Sequence, residues 1–406
     1  MGKKFISKNK GVIAFSIFKY LEIGITALTT FILAKKIGEQ GLGQALPVLL
    51  FITYANYFSL GVNQVILKNY SRYETNLANK FLLLNFQYLS FICIFVVLLS
   101  FSLIDFKHFM FVSIIAIGNI FRSYFMAYYR VKDRSIILNK NNLIFSLLLF
   151  TLTILFTNTL TDYLIFWSIS ISTSILLYLS DDLLYFLKLF KSFFTLPDMS
   201  FLKKNLLEGI RLAMIGFVST ILLTLDRFII NDKSIDLAIK GSYQLSDFVG
   251  TAYYMVLTTI IFYFYPKLIA NLRENEAAKK QFLKYVKFAL KIFPIFVGLA
   301  FVCATLIQKL IFPEYQNLPY FISSIIALKS VILISTSFSM YYIAKDQEVK
   351  YLKSMVILIV AAILAAVVVK FYFIDYIIYI PNIISILILI EILFKIKVIN
   401  EKNSNN

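Results

Sequence analysis

Apolar stretches recur along the whole of this chain, separated by short polar connections rich in lysine. A helix needs about 20 mostly apolar residues to cross a bilayer. Twelve stretches fit: 11–34, 43–66, 79–104, 107–129, 141–158, 161–180, 206–230, 240–265, 286–309, 318–343, 352–369 and 372–395. The first follows a basic start, MGKKFISKNK, as a signal peptide would. It is long, however, carries Lys19 and Glu22, and lacks a small-residue cleavage site, so it reads as a retained span. The pattern predicts an all-α integral membrane protein of about twelve transmembrane helices.

The connections set the orientation. One alternating set (the N-terminus, 68–80, 130–140, 181–211, 267–291, 345–353 and the C-terminal tail) holds 29 of the 40 lysines and arginines. The opposite set holds 8, and Lys19, Arg122 and Lys329 lie within spans. Basic residues concentrate in cytoplasmic loops, which puts both termini in the cytoplasm. Lys279, Lys280, Lys284 and Lys287 share one amphipathic segment of the basic side. The longest cytoplasmic connection, 181–205, mixes apolar and basic residues as an amphipathic surface helix does. It divides six spans from six, predicting an N-terminal lobe at 1–190, a linker at 191–205 and a C-terminal lobe at 206–406.

Composition sharpens this picture. Of 406 residues 60% are hydrophobic and 15% charged, with 41 Phe, whereas soluble domains run about 45–50% apolar and about 25% charged. The net charge of +18 follows the loop pattern and suits anionic lipid, so nucleic acid is not the expected partner. Cys93 and Cys303 sit in apolar runs as packing residues. The single histidine, His108, has no Cys or carboxylate cluster near it in sequence, which argues against zinc chemistry and a His-dependent triad. The external connections are short, leaving no external domain for an enzyme site. The 26 tyrosines and Trp167 include interface anchors.

The stretch KKIGEQGLGQAL (35–46) resembles a phosphate loop at first sight but lacks the Gly-Lys-Ser/Thr ending and the strand-turn-helix setting. Gly38, Gly41 and Gly43 instead predict a tight turn between the first two spans, with Lys35 and Lys36 at the outer interface. Gly43-Gln-Ala-Leu after the first span has a counterpart in Gly241-Ser-Tyr-Gln-Leu after the seventh. The second and eighth spans both end in basic stretches, VILKNYSRYE and FYPKLIANLRE. Six spans per half give both lobes one orientation, which predicts a parallel repeat with pseudo-two-fold symmetry.

Charges at membrane depth are the candidate chemistry. Each costs about 2.5–3.5 kcal/mol at the bilayer centre, so they must face one another or a wet cavity. Lys19, Arg122 and Lys329, with Arg211 nearer the inner end of the seventh span, are the candidate cations of a path for an anionic solute. Glu22, Asp226, Arg227 and Asp247 are candidates for gating or for coupling to protons or sodium, Asp247 and Glu22 foremost. Structural readings stand beside these. Lys19 and Glu22, three apart on one helical face, can neutralise each other. Arg211 and Glu391 can snorkel to the inner interface, and Asp226, Arg227 and Asp247 can hold a hairpin together.

Ordered motifs add a resemblance. IGEQGLGQA resembles the first loop of polysaccharide flippases in the multidrug/oligosaccharidyl-lipid/polysaccharide exporter superfamily. LDRFII followed by KGSYQLSDF is similar to their seventh-helix Asp-Arg and the Gly-x-Tyr of the eighth. FYPKLIANLRE resembles the end of that eighth helix, and LIFPEYQNLPYFI their ninth-to-tenth loop, except that Pro313-Glu314 stand where many relatives have glycine. The resemblance spans nearly the whole chain. It implies a Wzx-type, MATE-like flippase in the bacterial cytoplasmic (inner) membrane. Such a protein is not an enzyme and needs no cofactor beyond a coupling proton or sodium ion. It would carry polyprenyl-diphosphate-linked oligosaccharide across by alternating access for O-antigen, lipopolysaccharide or capsule biosynthesis. Its partners would be the lipid bilayer, a polysaccharide polymerase and chain-length machinery. A multidrug or cation extruder of the same superfamily is the nearest alternative, and a membrane-embedded glycan polymerase or ligase the next. Flippases of peptidoglycan precursors share the chemistry but usually have two further helices.

Overall fold

The computed structural model describes residues 10–70, 75–192, 199–274, 276–315, 317–372 and 374–401. The expected N-terminal basic start, most of the 68–80 connection's tip, the middle of the 191–205 linker and the end of the C-terminal tail lie outside these residues. The described chain is a succession of helices: α1 (Lys10–Ala55), α2 (Val62–Asn69), α3 (Thr75–Leu103), α4 (Phe106–Val131), α5 (Ser135–Phe156), α6 (Leu160–Ser180) and α7 (Leu183–Ser192). Then come α8 (Met199–Ile230), α9 (Leu237–Glu274), α10 (Glu276–Leu310), α11 (Leu318–Ala344), α12 (Glu348–Tyr372) and α13 (Ile380–Glu401). Short 3-10 turns occupy Asn56–Ser59 and Ile374–Tyr379. No strand occurs among the described residues, as hydrocarbon demands of an open chain, because helices satisfy their own backbone donors and acceptors. Among the described residues eight helices are long and apolar enough to cross a membrane, or nine with the bent pair Asn205–Met214 and Gly216–Ile230 as one span. One of the eight, Ile17–Ser59, takes in most of the first predicted span and most of the second.

The helices form two compact units, Met1–Ile37 with Pro47–Phe217 and Gly38–Leu46 with Val218–Asn406. In the first, α4 is central and packs on α2, α3 and α6. Its aromatic core includes Tyr124, Phe125, Tyr128 and Tyr129 from α4, Tyr178 from α6 and Phe186 from α7. The buried hydroxyls find carbonyls: Tyr124 donates to Leu82 O (3.0 Å) and Tyr129 to Tyr178 O (2.5 Å). In the second unit α11 is central and packs on α9, α10 and α13. These are the fourth and tenth predicted spans, and each holds the same kinds of neighbour in its half.

Their ends share a motif as well. Tyr128-Tyr129-Arg130-Val131-Lys132-Asp133-Arg134 closes α4, and Tyr341-Tyr342-Ile343-Ala344-Lys345-Asp346-Gln347 closes α11. Both aspartates are left-handed, with φ 57° at Asp133 and 51° at Asp346. The following amides turn back onto the helix, Arg134 N–H to Tyr129 O (2.9 Å) and Gln347 N–H to Tyr342 O (2.8 Å). Short polar side chains tolerate this conformation and let the helix stop on its own carbonyls.

The glycine-rich stretch differs from expectation. Only Gly38 breaks the helix, with φ 67° and ψ 179°, and Gly41 and Gly43 are helical. Gly43 serves packing: a Cβ there would lie 2.1 Å from Leu237 O, while one at Gly241 would lie 1.8 Å from Glu39 O. The two glycines matched in sequence thus meet at one helix crossing, where the missing side chains let backbones approach. The second predicted span is also interrupted. Leu60 (φ 46°) and Gly61 (φ 76°) are left-handed, and a Cβ on Gly61 would lie 2.0 Å from Gly209 O. Close backbone approach at Gly209 holds Leu60 in a conformation that costs a non-glycine residue about 1–2 kcal/mol.

Gly241→Val is expected to force this crossing apart and lower stability by about 1–3 kcal/mol. Gly24→Ala, with open space around it, should leave stability unchanged. Thermal unfolding of the purified full chain in detergent distinguishes them.

Candidate functional site

Each unit buries its own polar cluster. In the first, Arg122 projects from α4 toward α1, α5 and α6. Its Nε and Nη2 both donate to Asn142 Oδ1 (3.1 and 2.9 Å), and Nη2 reaches Glu22 Oε1 at 3.4 Å. The guanidinium carbon stands 4.0 Å from the centre of the Phe145 ring, a cation–π contact that helps to hold a desolvated charge. Tyr178 O–H donates to the same Asn142 oxygen (3.0 Å). On α1, Lys19 Nζ donates to Glu22 Oε2 at 2.9 Å. One carboxylate therefore serves two cations, leaving a positive excess among ionised groups. Arg122 and Glu22 side chains are 12% and 16% exposed, whereas Lys19 retains 40%. The spacing of Lys19 and Glu22 in sequence predicts their pair; Arg122 is the member that only packing adds.

In the second unit Asp247 of α9 is the hub. Its Oδ2 binds Arg227 Nη1 of α8 at 3.1 Å and its Oδ1 binds Lys329 Nζ of α11 at 2.9 Å. Lys329 also donates to Thr251 Oγ1 (3.3 Å) and Leu223 O (3.4 Å). Asp226 accepts from Tyr243 O–H, and its Oδ1 has no hydrogen-bond partner among the described residues. Two cations here face two carboxylates, and Lys329 and Asp247 side chains are only 3% and 2% exposed. Gly250 matters to this geometry: Lys329 Cγ would lie 3.6 Å and Ile325 Cγ2 2.5 Å from a Cβ at that position.

Arg211 joins neither cluster. It is exposed on α8, one turn from Glu208, which binds Lys68 Nζ (2.6 Å) and Asn69 Nδ2 (2.7 Å). Glu391 does not stand alone at an interface. Its carboxylate accepts from Ser354 Oγ (2.7 Å) and Ser335 Oγ (3.2 Å) and pairs with Lys395 one turn on. Lys395 is buried beside the rings of Tyr351 (4.8 Å), Phe338 (5.6 Å) and Tyr342 (6.0 Å). Sequence reading missed Lys395, Asn142, Tyr178 and Tyr243. Asn142 near the start of a predicted span was a usable signal, because an amide at that depth needs a partner. Tyr178 gave none, since membrane proteins also carry tyrosines at interfaces, and Tyr243 stood out only as part of the Gly-x-Tyr motif.

Between α8 and α9, outside the spans, Asp232 pairs with Lys370. That contact, with donors from Ser234, holds its carboxyl well below the usual range. No group of three or more His, Cys, Asp or Glu side chains able to hold a metal occurs among the described residues.

No family model matches the chain, and no curated protein matches it. Solved structures do. The chain is similar to the lipid II flippase MurJ in an inward closed conformation, with 16% identity and a TM-score of 0.69 over 95% of this chain and 87% of that one. It is similar also to a multidrug resistance MATE family transporter of the MOP superfamily facing inward, with 14% identity and a TM-score of 0.68 over 93% and 96%. A MOP superfamily transporter from Pyrococcus furiosus, whose reversed binding-pocket polarity suggests a different function, aligns at 14% identity with a TM-score of 0.54 over 98% and 96%. The chain therefore has the all-α, multi-spanning membrane fold of these transporters.

Replacing one member of a buried charge cluster strands the rest, at about 3–5 kcal/mol. Asp247→Asn should therefore destabilise the protein strongly, because Arg227 and Lys329 lose their shared carboxylate. Adding Lys329→Met should recover part of that loss. A double-mutant cycle on melting temperature in detergent reads the coupling, and additive effects would show that the pair is not coupled.

Proposed function

We propose that the protein is a flippase for lipid-linked oligosaccharide, moving polyprenyl-diphosphate-linked glycan repeat units from the cytoplasmic to the outer leaflet by alternating access. The observation that carries this reading is the cluster of Lys19, Glu22 and Arg122. Two cations share one carboxylate within a helical bundle, and the less buried cation, Lys19, remains open to a ligand. A diphosphate supplies the missing negative charge and suits the planar donors of Arg122. A cationic drug has the wrong sign for that position.

The other charges take roles around this one. Lys329 joins the path when Asp247 releases it, and Asp226, Arg227 and Asp247 form the gate. Glu22 plays the corresponding part beside Arg122. Protonation or sodium binding at Asp247 or Glu22 would loosen a pair and couple transport to an ion gradient. Arg211, exposed on α8, meets the anionic cargo on entry. The lysine-rich side is cytoplasmic, with both termini there, in a bacterial inner membrane. Residues 191–205 link an N-terminal lobe (1–190) to a C-terminal lobe (206–406). The product would feed a surface-polysaccharide polymerase and its chain-length machinery in O-antigen, lipopolysaccharide or capsule synthesis. The MurJ-like fold accords with a lipid-borne cargo.

A second reading, a multidrug or cation extruder, is favoured by one observation: Asp226 and Asp247 are both buried carboxylates of the second unit. Deleting the gene separates the two. A flippase predicts that lipid-linked oligosaccharide accumulates facing the cytoplasm while surface glycan is lost; an extruder predicts normal glycan and drug hypersensitivity. Arg122→Gln and Lys19→Gln should each lower export about tenfold or more, the scale of one lost charge-assisted hydrogen bond of about 1.5–3 kcal/mol, while the protein stays in the membrane. Normal export by both variants would remove the cationic cluster from the mechanism.

A further inference from the structure

The first turns of α10 carry Lys280, Lys284, Lys287 and Lys291, all exposed. Their spacing, four, three and four residues apart, confines them to one stripe about 60° wide and about 16 Å long on the helix. Together with Leu283, Phe288 and Asn400 of α13 they line a groove of about 730 Å³, within the range of about 300–1,000 Å³ typical of ligand pockets. None of these lining residues is acidic. The neighbouring Lys279 is buried away from the stripe, at 5% exposure.

An excess of basic residues on the cytoplasmic side requires number, not alignment. Burial of Phe282, Leu283 and Val286 on the other face aligns the lysines, but a wall from a second helix with no acidic residue in the groove calls for a further reason. Depth supplies one. From Lys291 to Leu310 the helix covers about 29 Å at 1.5 Å per residue, matching a hydrocarbon core of about 30 Å. The ladder thus begins at the edge of the hydrocarbon and rises through the head-group layer. On the hydrocarbon side α10 exposes Ile295, Phe296 and Leu299, an apolar flank suited to hydrocarbon chains.

We propose that this groove binds the phosphate head group of an anionic membrane lipid in the lysine-rich leaflet, with its chains against the apolar flank of α10. The lysines neutralise the phosphate, and Leu283 and Phe288 shield the contact from water. This assignment is independent of what the protein transports.

Native mass spectrometry of the purified full chain in detergent, titrated with phosphatidylglycerol, phosphatidylcholine or inorganic phosphate, tests it. Phosphatidylglycerol should bind in preference to phosphatidylcholine and resist displacement by millimolar phosphate. At roughly fivefold per basic residue near a membrane surface, Lys284→Gln with Lys287→Gln should weaken binding about 30-fold, and Lys350→Gln with Lys353→Gln less than about threefold. The charge-preserving Lys284→Arg with Lys287→Arg should bind normally, which keeps the test sound if the glutamine pair unfolds. Equal losses in the two glutamine pairs would mean a diffuse field rather than a groove. That outcome, loss in the arginine pair, equal binding of phosphatidylcholine, or displacement by free phosphate would each overturn the proposal.

Discussion

Hydrocarbon offers no hydrogen bonds, and the rest of this structure follows from that constraint. Backbone groups must pair within their own segment, so the described chain is helix from end to end with only brief turns. Side chains obey the same rule at greater expense. A lone charge costs about 2.5–3.5 kcal/mol at the bilayer centre, and the charges at depth are gathered into clusters in each unit. The helix breaks follow it too. At Asp133 and Asp346 the amides that leave the helix fold back onto its carbonyls.

The two units meet the constraint with one scaffold and different chemistry. α4 and α11 occupy the middle of their units, pack on corresponding helices, and stop with the same Tyr-Tyr-x-x-Lys-Asp cap. Each also contributes the central cation of its unit's cluster, Arg122 or Lys329. Around that cation the partners diverge. Arg122 has an amide, an aromatic face and half of a shared carboxylate, whereas Lys329, at 3% exposure, shares Asp247 with Arg227 and lies beside a second carboxylate of the cluster, Asp226. The first arrangement sets two cations against one carboxylate, and the second sets two cations against two.

Basic residues outside the bundle follow a different logic. In the head-group layer a lysine can face water, and its alignment is free to serve recognition. The stripe on α10 and the buried pair Lys395–Glu391 show the contrast. The first is exposed, unneutralised by its groove neighbours and ordered by helical spacing; the second is enclosed by three aromatic rings and two serines.

By itself the sequence determined the fold class and the approximate course of the helices, and it marked charges within the apolar stretches. Hydropathy is additive along a segment, and the insertion cost of a charge is local, so both can be read without knowing the neighbours. The same local logic found the Lys19–Glu22 pair, one helical turn apart. Tertiary structure alone decided which charges meet. Glu22 is divided between Lys19 and Arg122, Asp247 between Arg227 and Lys329, and Arg211 stands outside both. Such pairings join helices distant in sequence, and neither hydropathy nor spacing encodes which faces oppose. The glycines divide along the same line. That Gly38, Gly41 and Gly43 mark a special stretch was legible, but only packing gave Gly38 the turn and set Gly43 against Leu237. A glycine permits a turn or a close approach equally well, and its neighbours in space choose between them.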